Sequence, residues 1–239
     1  WAMADPRTLD DMKSFGFNIY NTANNHSGDY SQGGVLATIK YLNEKDMIFS
    51  GTGKDLANAS KPCYLETKSA RVALISAASS FDIAAMAGGQ TADMIGRPGL
   101  NPLRFKTTYF VDSEHYEMVK ELAKVTKINA EKEFSIRNVY SNPFEEGTMP
   151  FGSSTFILDK ENKIVSDPNE TDMQRIEAEI KEAKKQADIV LVSLHAHETD
   201  TEDTTVPAQF IEKFAKRCID AGASVMIGHG LHELRGIEL

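Results

Sequence analysis

The chain has 239 residues, 41% of them apolar, and a formal net charge of −9, with a sequence pI near 5.2. That length suits one large domain or two small ones around an ordinary core, and an acidic chain without a Lys/Arg-rich block argues against a nucleic-acid surface. No apolar run reaches the roughly 18 residues of a membrane span, and Trp1-Ala2-Met3-Ala4-Asp5 lacks a signal-peptide layout.

In chain order, Asp5-Pro6 followed by Leu9, Met12 and Phe15 predicts a short helix ending at Gly16. Phe17 to Ala23 reads as a strand that stops on Asn24-Asn25-His26-Ser27-Gly28-Asp29. A helix from about Ser31 to Glu44 carries Val35, Leu36, Ile39 and Leu42 on one face, and a short strand is expected near Met47-Ile48-Phe49. Ser50-Gly51-Thr52-Gly53 turns the chain into a small helix, Lys54 to Ser60. Cys63–Glu66 and Arg71–Ser76 then form a hairpin around Lys68-Ser69.

From about residue 80 to residue 170 the pattern is irregular, broken by Gly88-Gly89, Pro98-Gly99, Asn101-Pro102, Pro143 and Pro150. It reads as an insertion over the strand ends, where lids and specificity elements tend to sit. Within it a helix is predicted from Asp112 to about Glu131 and a strand at Thr155–Leu158.

Order returns at Thr171, which with Gln174 fits a capping box, and Met173, Ile176, Ile180, Ala183 and Ala187 step along one helical face. Ile189–Leu194 is a nearly all-apolar strand, as a sheet centre requires. Pro207 opens a helix with Phe210, Ile211, Phe214 and Cys218 as its buried stripe, and Gly222 closes it. Ala223–Ile227 follows as a strand, making residues 188–227 a βαβ unit in a mixed α/β chain. Cys63 and Cys218 fall outside any C-x-x-C spacing and read as buried thiols, with a disulfide left open.

Three strand ends deliver imidazole: Asn24–Asp29, His195-Ala196-His197-Glu198 and Gly228-His229-Gly230-Leu231-His232. Ligands of open α/β sheets bind in the crevice at the carboxyl ends of the strands. Five of the six histidines lie in these loops; His115 falls on the insertion helix. Imidazole, with carboxylate and amide oxygen, makes a site for zinc, manganese or iron. His115 and His197, taken singly, read as hydrogen-bonded structural histidines, and Asp29, Glu198 and Glu233 can each be solvated charge. Ser79-Ser80 and Ser153-Ser154 lack a nucleophile elbow, and Gly51-Thr52-Gly53-Lys54 has only a superficial likeness to a phosphate loop.

Phe17 to Asp29, Gly51-Thr52-Gly53 with Leu56, Ala57 and Ala59, and Arg71-Val72-Ala73 resemble the CapA-like poly-γ-glutamate capsule-synthesis family. Ser193-Leu194-His195, Ala221-Gly222-Ala223, Ile227-Gly228-His229, His232 and Gly236-Ile237-Glu238 continue the likeness in order and spacing. The family is related to the calcineurin-like metallophosphoesterases. The resemblance therefore implies a four-layer α-β-β-α sandwich over residues 1–239, lacking its first and C-terminal strands. The family begins with a strand carrying an aspartate ligand, followed by a second acidic ligand, neither of which is matched in this sequence, and it runs on into more strands than this sequence carries.

It also implies two divalent ions (Mn, Zn, Fe or Mg), with Asn25, His195 and His229 as ligands and His232 on the second ion. His26 would be the general acid and Asp29 the group that orients it. Gly230-Leu231 stands where the family usually has His-Pro. The implied function is capsule biosynthesis with a metal-dependent hydrolase site acting on phosphoester substrate or anionic capsule polymer. Capsule-synthesis membrane proteins are the expected partners. The place would be the extracellular face of a bacterial membrane, anchored by a segment outside this chain. The competing readings are a non-catalytic assembly or export component, and a generic metal-dependent phosphatase.

Overall fold

A computed structural model describes residues 1–239. The chain opens with α1 (Thr8–Ser14), β1 (Tyr20–Asn21) and α2 (Ser31–Glu44). Short elements follow: β2 (Phe49–Ser50), β3 (Thr52–Gly53), α3 (Leu56–Ser60), then β4 (Cys63–Glu66) and β5 (Arg71–Ala78). A 3-10 turn at Ile83–Ala85 leads to β6 (Gly99–Leu100). Next come β7 (Phe105–Val111), α4 (Ser113–Thr126), α5 (Ala130–Arg137), β8 (Met149–Phe151), β9 (Ser154–Leu158) and β10 (Lys163–Pro168). The chain ends with α6 (Glu170–Lys184), β11 (Ile189–Ala196), α7 (Gln209–Ala221) and β12 (Val225–Gly230). Seven helices and four sheets make a mixed α/β protein. No helix is long and apolar enough to cross a membrane.

Two compact units are present, Trp1–Arg104 with Pro168–Leu239, and Phe105–Asp167. Residues 80–104, part of the irregular stretch in sequence, thus belong with the first unit. That unit is built on the sheet β12-β11-β5-β4, in which β11 runs parallel to β5 and β12, and β4 antiparallel to β5. Side chains alternate between the faces of a strand. Ala73, Ile75 and Ala77 of β5 and Val190, Val192 and Leu194 of β11 therefore share one face, and all are buried. The stripes of α6 (Met173, Ile176, Ile180) and α7 (Phe210, Phe214, Cys218) close over it as the main core. Burial of each large apolar side chain there stabilises by about 1.5–3 kcal/mol.

The opposite face carries Ser76, Ser193 and His195. It is met by the parallel pair β1–β2, where the Ser50 hydroxyl accepts the Ser76 amide at 3.3 Å. Farther along this face, Val225 and Ile227 of β12 are exposed.

Several expected boundaries move. The strand expected over Phe17–Ala23 is only Tyr20–Asn21, because Phe17 stands in water and Asn21 Oδ1 takes the Ala23 amide at 2.6 Å. The helix expected from Asp112 to Glu131 breaks at Lys127, which is left-handed at φ 55°. There Asn129 is committed to the β8 turn, donating to the Pro150 carbonyl at 2.8 Å and accepting the Gly152 amide at 3.0 Å. Helix α6 is capped by Asn169, whose side chain accepts the Asp172 amide at 3.1 Å, and Thr171 lies inside the first turn. Helix α7 starts at Gln209, whose amide donates to Asp200 at 2.7 Å, and ends at the left-handed Gly222. Both cysteines are free, with burial pushing the Cys63 thiol up to about 12 and that of Cys218 also up.

The second unit has the sheet order β10-β7-β9-β8, with β7 parallel and β8 antiparallel to β9. Tyr109 and Phe156 stack across neighbouring strands, ring centroids 5.1 Å apart.

Candidate functional site

Parallel pairing sets the site. The register of β11 against β12 places His195 opposite His229, on the face turned away from α6 and α7. Their Nδ1 atoms are 3.3 Å apart. From β1, the Asn21 amide nitrogen reaches His229 Nε2 at 2.8 Å and the Ser193 hydroxyl at 2.9 Å. Asn21 Oδ1 is already engaged by the Ala23 amide, which fixes its Nδ2 as the donor. His229 Nε2 therefore accepts, and the proton of the neutral ring sits on Nδ1, aimed at His195 Nδ1. His195 then carries its own proton on Nε2. The family resemblance implies Asn25 as a metal ligand; the amide that bonds His229 is that of Asn21, four residues earlier. Asn25 itself lies half-buried in the turn before His26.

His195 is 7% exposed, and desolvation, followed by the nearby imidazoles of His229, His197, His26 and His232, pushes its pKa down to about 4. His229 is held below its ordinary value by partial desolvation and by His197. Both rings are neutral at neutral pH, the state in which imidazole binds metal.

The loop after β1 is pinned by its own side chains. Asn24 Oδ1 accepts the His26 amide at 2.8 Å, and the Ser27 hydroxyl bridges the Asn24 amide and the Thr22 carbonyl. This turn sets His26 Nδ1 2.9 Å from Asp29 Oδ2. The Ala2 amide, then the His26 ring, hold the Asp29 carboxyl below the usual carboxylate range. Beside this loop lies a cavity of about 270 Å³, lined by Asn21, Asn24, His26 and Thr52 on one side and Leu9 and Met47 on another.

Two residues set aside in sequence prove to be built in. Glu198 is not solvated charge: its carboxylate accepts the hydroxyls of Ser79 and Ser80, each at 2.7 Å. His197 packs against His195 with ring centroids 4.8 Å apart, and His232, at a left-handed φ of 67°, lies 6.0 Å beyond it. The Nε2 atoms of His195 and His197 are both buried without a hydrogen-bond partner. The H-x-H spacing at the end of a buried strand was the available signal, because residues two apart share a face.

A model of the family described as "Bacterial capsule synthesis protein PGA_cap" matches residues 1–239. The chain belongs to this family. Two uncharacterized proteins of Sinorhizobium fredii, y4sH and y4uA, are each 32% identical to it over 238 residues, 98% of this chain and 48% of their own length. The capsule biosynthesis protein CapA of Bacillus anthracis is 23% identical over 236 residues, 99% of this chain and 40% of its own. The chain thus spans about half the length, or less, of the curated relatives it matches.

The donor set suits the metal that the family resemblance implies. His195 and His197 both bring a buried Nε2 without a hydrogen-bond partner to this end of the strand, and imidazole nitrogen suits a borderline divalent ion once His195 yields its Nε2 proton. They do not close a shell, since no three His, Cys, Asp or Glu side chains of this chain are gathered to hold an ion by themselves.

Proposed function

We propose that this PGA_cap chain is the metal-binding part of a capsule-biosynthesis protein acting on phosphoester-like bonds. The observation that carries this reading is the pair of buried, unpartnered imidazole nitrogens on His195 and His197 at the carboxyl end of the central strand. His195, His229 and His232, with the Asn25 amide, would hold the ions. When bound, one or two divalent ions polarise the phosphoryl group and acidify a water. The chain's own contribution is proton handling and orientation. His26, fixed at Nδ1 by Asp29, presents Nε2 to the leaving oxygen as the general acid. Asn21 holds the His229 ring in one orientation.

The four-layer α-β-β-α architecture is part of the proposal. It is supported by the sheet face on which Val225 and Ile227 still meet water, where a further layer has room to pack. Poly-γ-glutamate or a related anionic polymer as substrate, membrane proteins of capsule synthesis as partners, and attachment at the outer face of a bacterial membrane follow from the same reading.

A second reading, a non-catalytic component that binds anionic polymer or partner proteins, is favoured by the lack of any three gathered acidic, thiol or imidazole groups. Elemental analysis of protein purified without chelator, beside a His195→Ala/His229→Ala variant, separates the two. The first reading expects about one to two divalent ions per chain, lost in the variant, and phosphoesterase turnover that His26→Ala lowers by about 10²-fold or more. Wild-type protein with neither metal nor turnover sinks it and leaves the binding role.

A further inference from the structure

We infer that His197 is an additional metal ligand of this chain, making the site nitrogen-rich and selective for a borderline transition ion such as zinc over magnesium. The inference rests on the metal-site reading above and adds to it a residue outside the set implied by the family likeness.

Three features carry it. His197 follows β11 directly, and its amide donates to the Ser80 hydroxyl at 2.7 Å and to Glu198 Oε2 at 3.1 Å. Ser80 and Ser79 in turn donate to the two oxygens of Glu198. One carboxylate and two hydroxyls are thereby committed to a single backbone position, and what that position presents is the His197 ring. The ring's Nε2 is buried with no partner. Leaving such a group unsatisfied costs its desolvation, and buried polar atoms without partners are rare enough to call for a reason.

The third feature lies across the sheet. Gly230 has φ +122°, and a Cβ there would stand 2.8 Å from His197 Cδ2, 3.0 Å from His197 Nε2 and 3.0 Å from His195 Cε1. The absence of a side chain at Gly230 is what lets both rings occupy this corner. His197 then sits between His195 on one side and His232 on the other, at centroid separations of 4.8 and 6.0 Å. Each imidazole added to such a site shifts preference away from hard, oxygen-seeking Mg²⁺ toward Zn²⁺, Co²⁺ or Ni²⁺.

The test is a titration of chelator-treated, full chain with Co²⁺, followed by visible d–d absorption, and with Zn²⁺ and Mg²⁺ by calorimetry. Wild type, His197→Ala, His197→Gln, Gly230→Ala and His229→Ala are compared, each with a circular-dichroism melt to certify folding. We expect wild type to bind Zn²⁺ far above Mg²⁺. Both His197 variants should weaken Zn²⁺ by about tenfold or more and alter the Co²⁺ spectrum, and Gly230→Ala should mimic them. If the folded His197 variants match wild type while His229→Ala loses the metal, the inference falls and the wider site stands. If wild type itself binds none of the three ions, the inference falls together with the metal-site reading.

Discussion

The Nδ1 atoms of His195 and His229 face each other at 3.3 Å across neighbouring strands, so one proton serves both. The donor chain that starts at the Asn21 amide assigns that proton to His229. Nitrogen-15 NMR of metal-free protein at neutral pH should find His229 protonated at Nδ1 and His195 at Nε2. An ion taken up at His195 Nε2 must move or displace that proton, so loading should change the His195 tautomer. Asn21→Ala should release the fixed order and broaden both signals. His195 protonated at Nδ1 in the metal-free wild type would contradict the assignment.

Asp172 is fully buried at the start of α6. It accepts the Arg104 amide at 2.9 Å, Arg104 Nε at 2.8 Å and Nη2 at 2.9 Å, and Arg175 Nη1 at 2.6 Å. Burial pushes its carboxyl up, and the donors from Arg104 and Arg175 more than offset this, leaving it below the ordinary carboxylate value. A depressed folded pKa contributes stability above the unfolded value that is lost as pH falls through the folded one. Asp172→Asn should therefore cost about 3–5 kcal/mol at neutral pH. The gap to wild type should stay constant down to about pH 4 and close below it. Urea melts across pH 2–7 measure this; a gap independent of pH would refute it.

Gly51 holds φ +113°, and a Cβ would lie 2.8 Å from both N and Cβ of Ala23 and 2.9 Å from Ser76 Cβ. This glycine lets the β1 segment that carries Asn21 approach β5. Gly51→Ala should destabilise by about 2–3 kcal/mol and shift the His229 ring signals by displacing Asn21. Gly33, on α2 with nothing within 4 Å of its virtual Cβ, is the control: Gly33→Ala should stabilise by about 0.5–1 kcal/mol. Thermal melts of the two variants moving in the same direction would defeat the argument.

Periodic, core-forming segments were legible in sequence. The α2 boundaries, the β4–β5 hairpin and the β11-α7-β12 unit follow from stripes such as Phe210, Ile211, Phe214 and Cys218, whose burial leaves little freedom. Segments decided by single polar bonds were not. Asn169 outcompetes Thr171 as a cap, and Asn129 ends one helix by bonding a distant turn. In the site, His26 with Asp29 is a local pair that three-residue spacing suggests. The roles of Asn21, His197 and Glu198 depend on partners 117 to 208 residues away, which no local pattern encodes.

The chain leaves the first unit after Arg104 and re-enters at Pro168, and the Asn169 amide donates to the Arg104 carbonyl at 2.7 Å. Entry and exit are thus one hydrogen bond apart, anchored on each side by Asp172 and its arginines. Such a junction works as a socket. Because its closure is made by residues 104 and 169–175 themselves, whatever is plugged in between need only bring its two ends together. Replacing residues 105–167 with a short linker should therefore leave the sheet that carries the imidazoles closed.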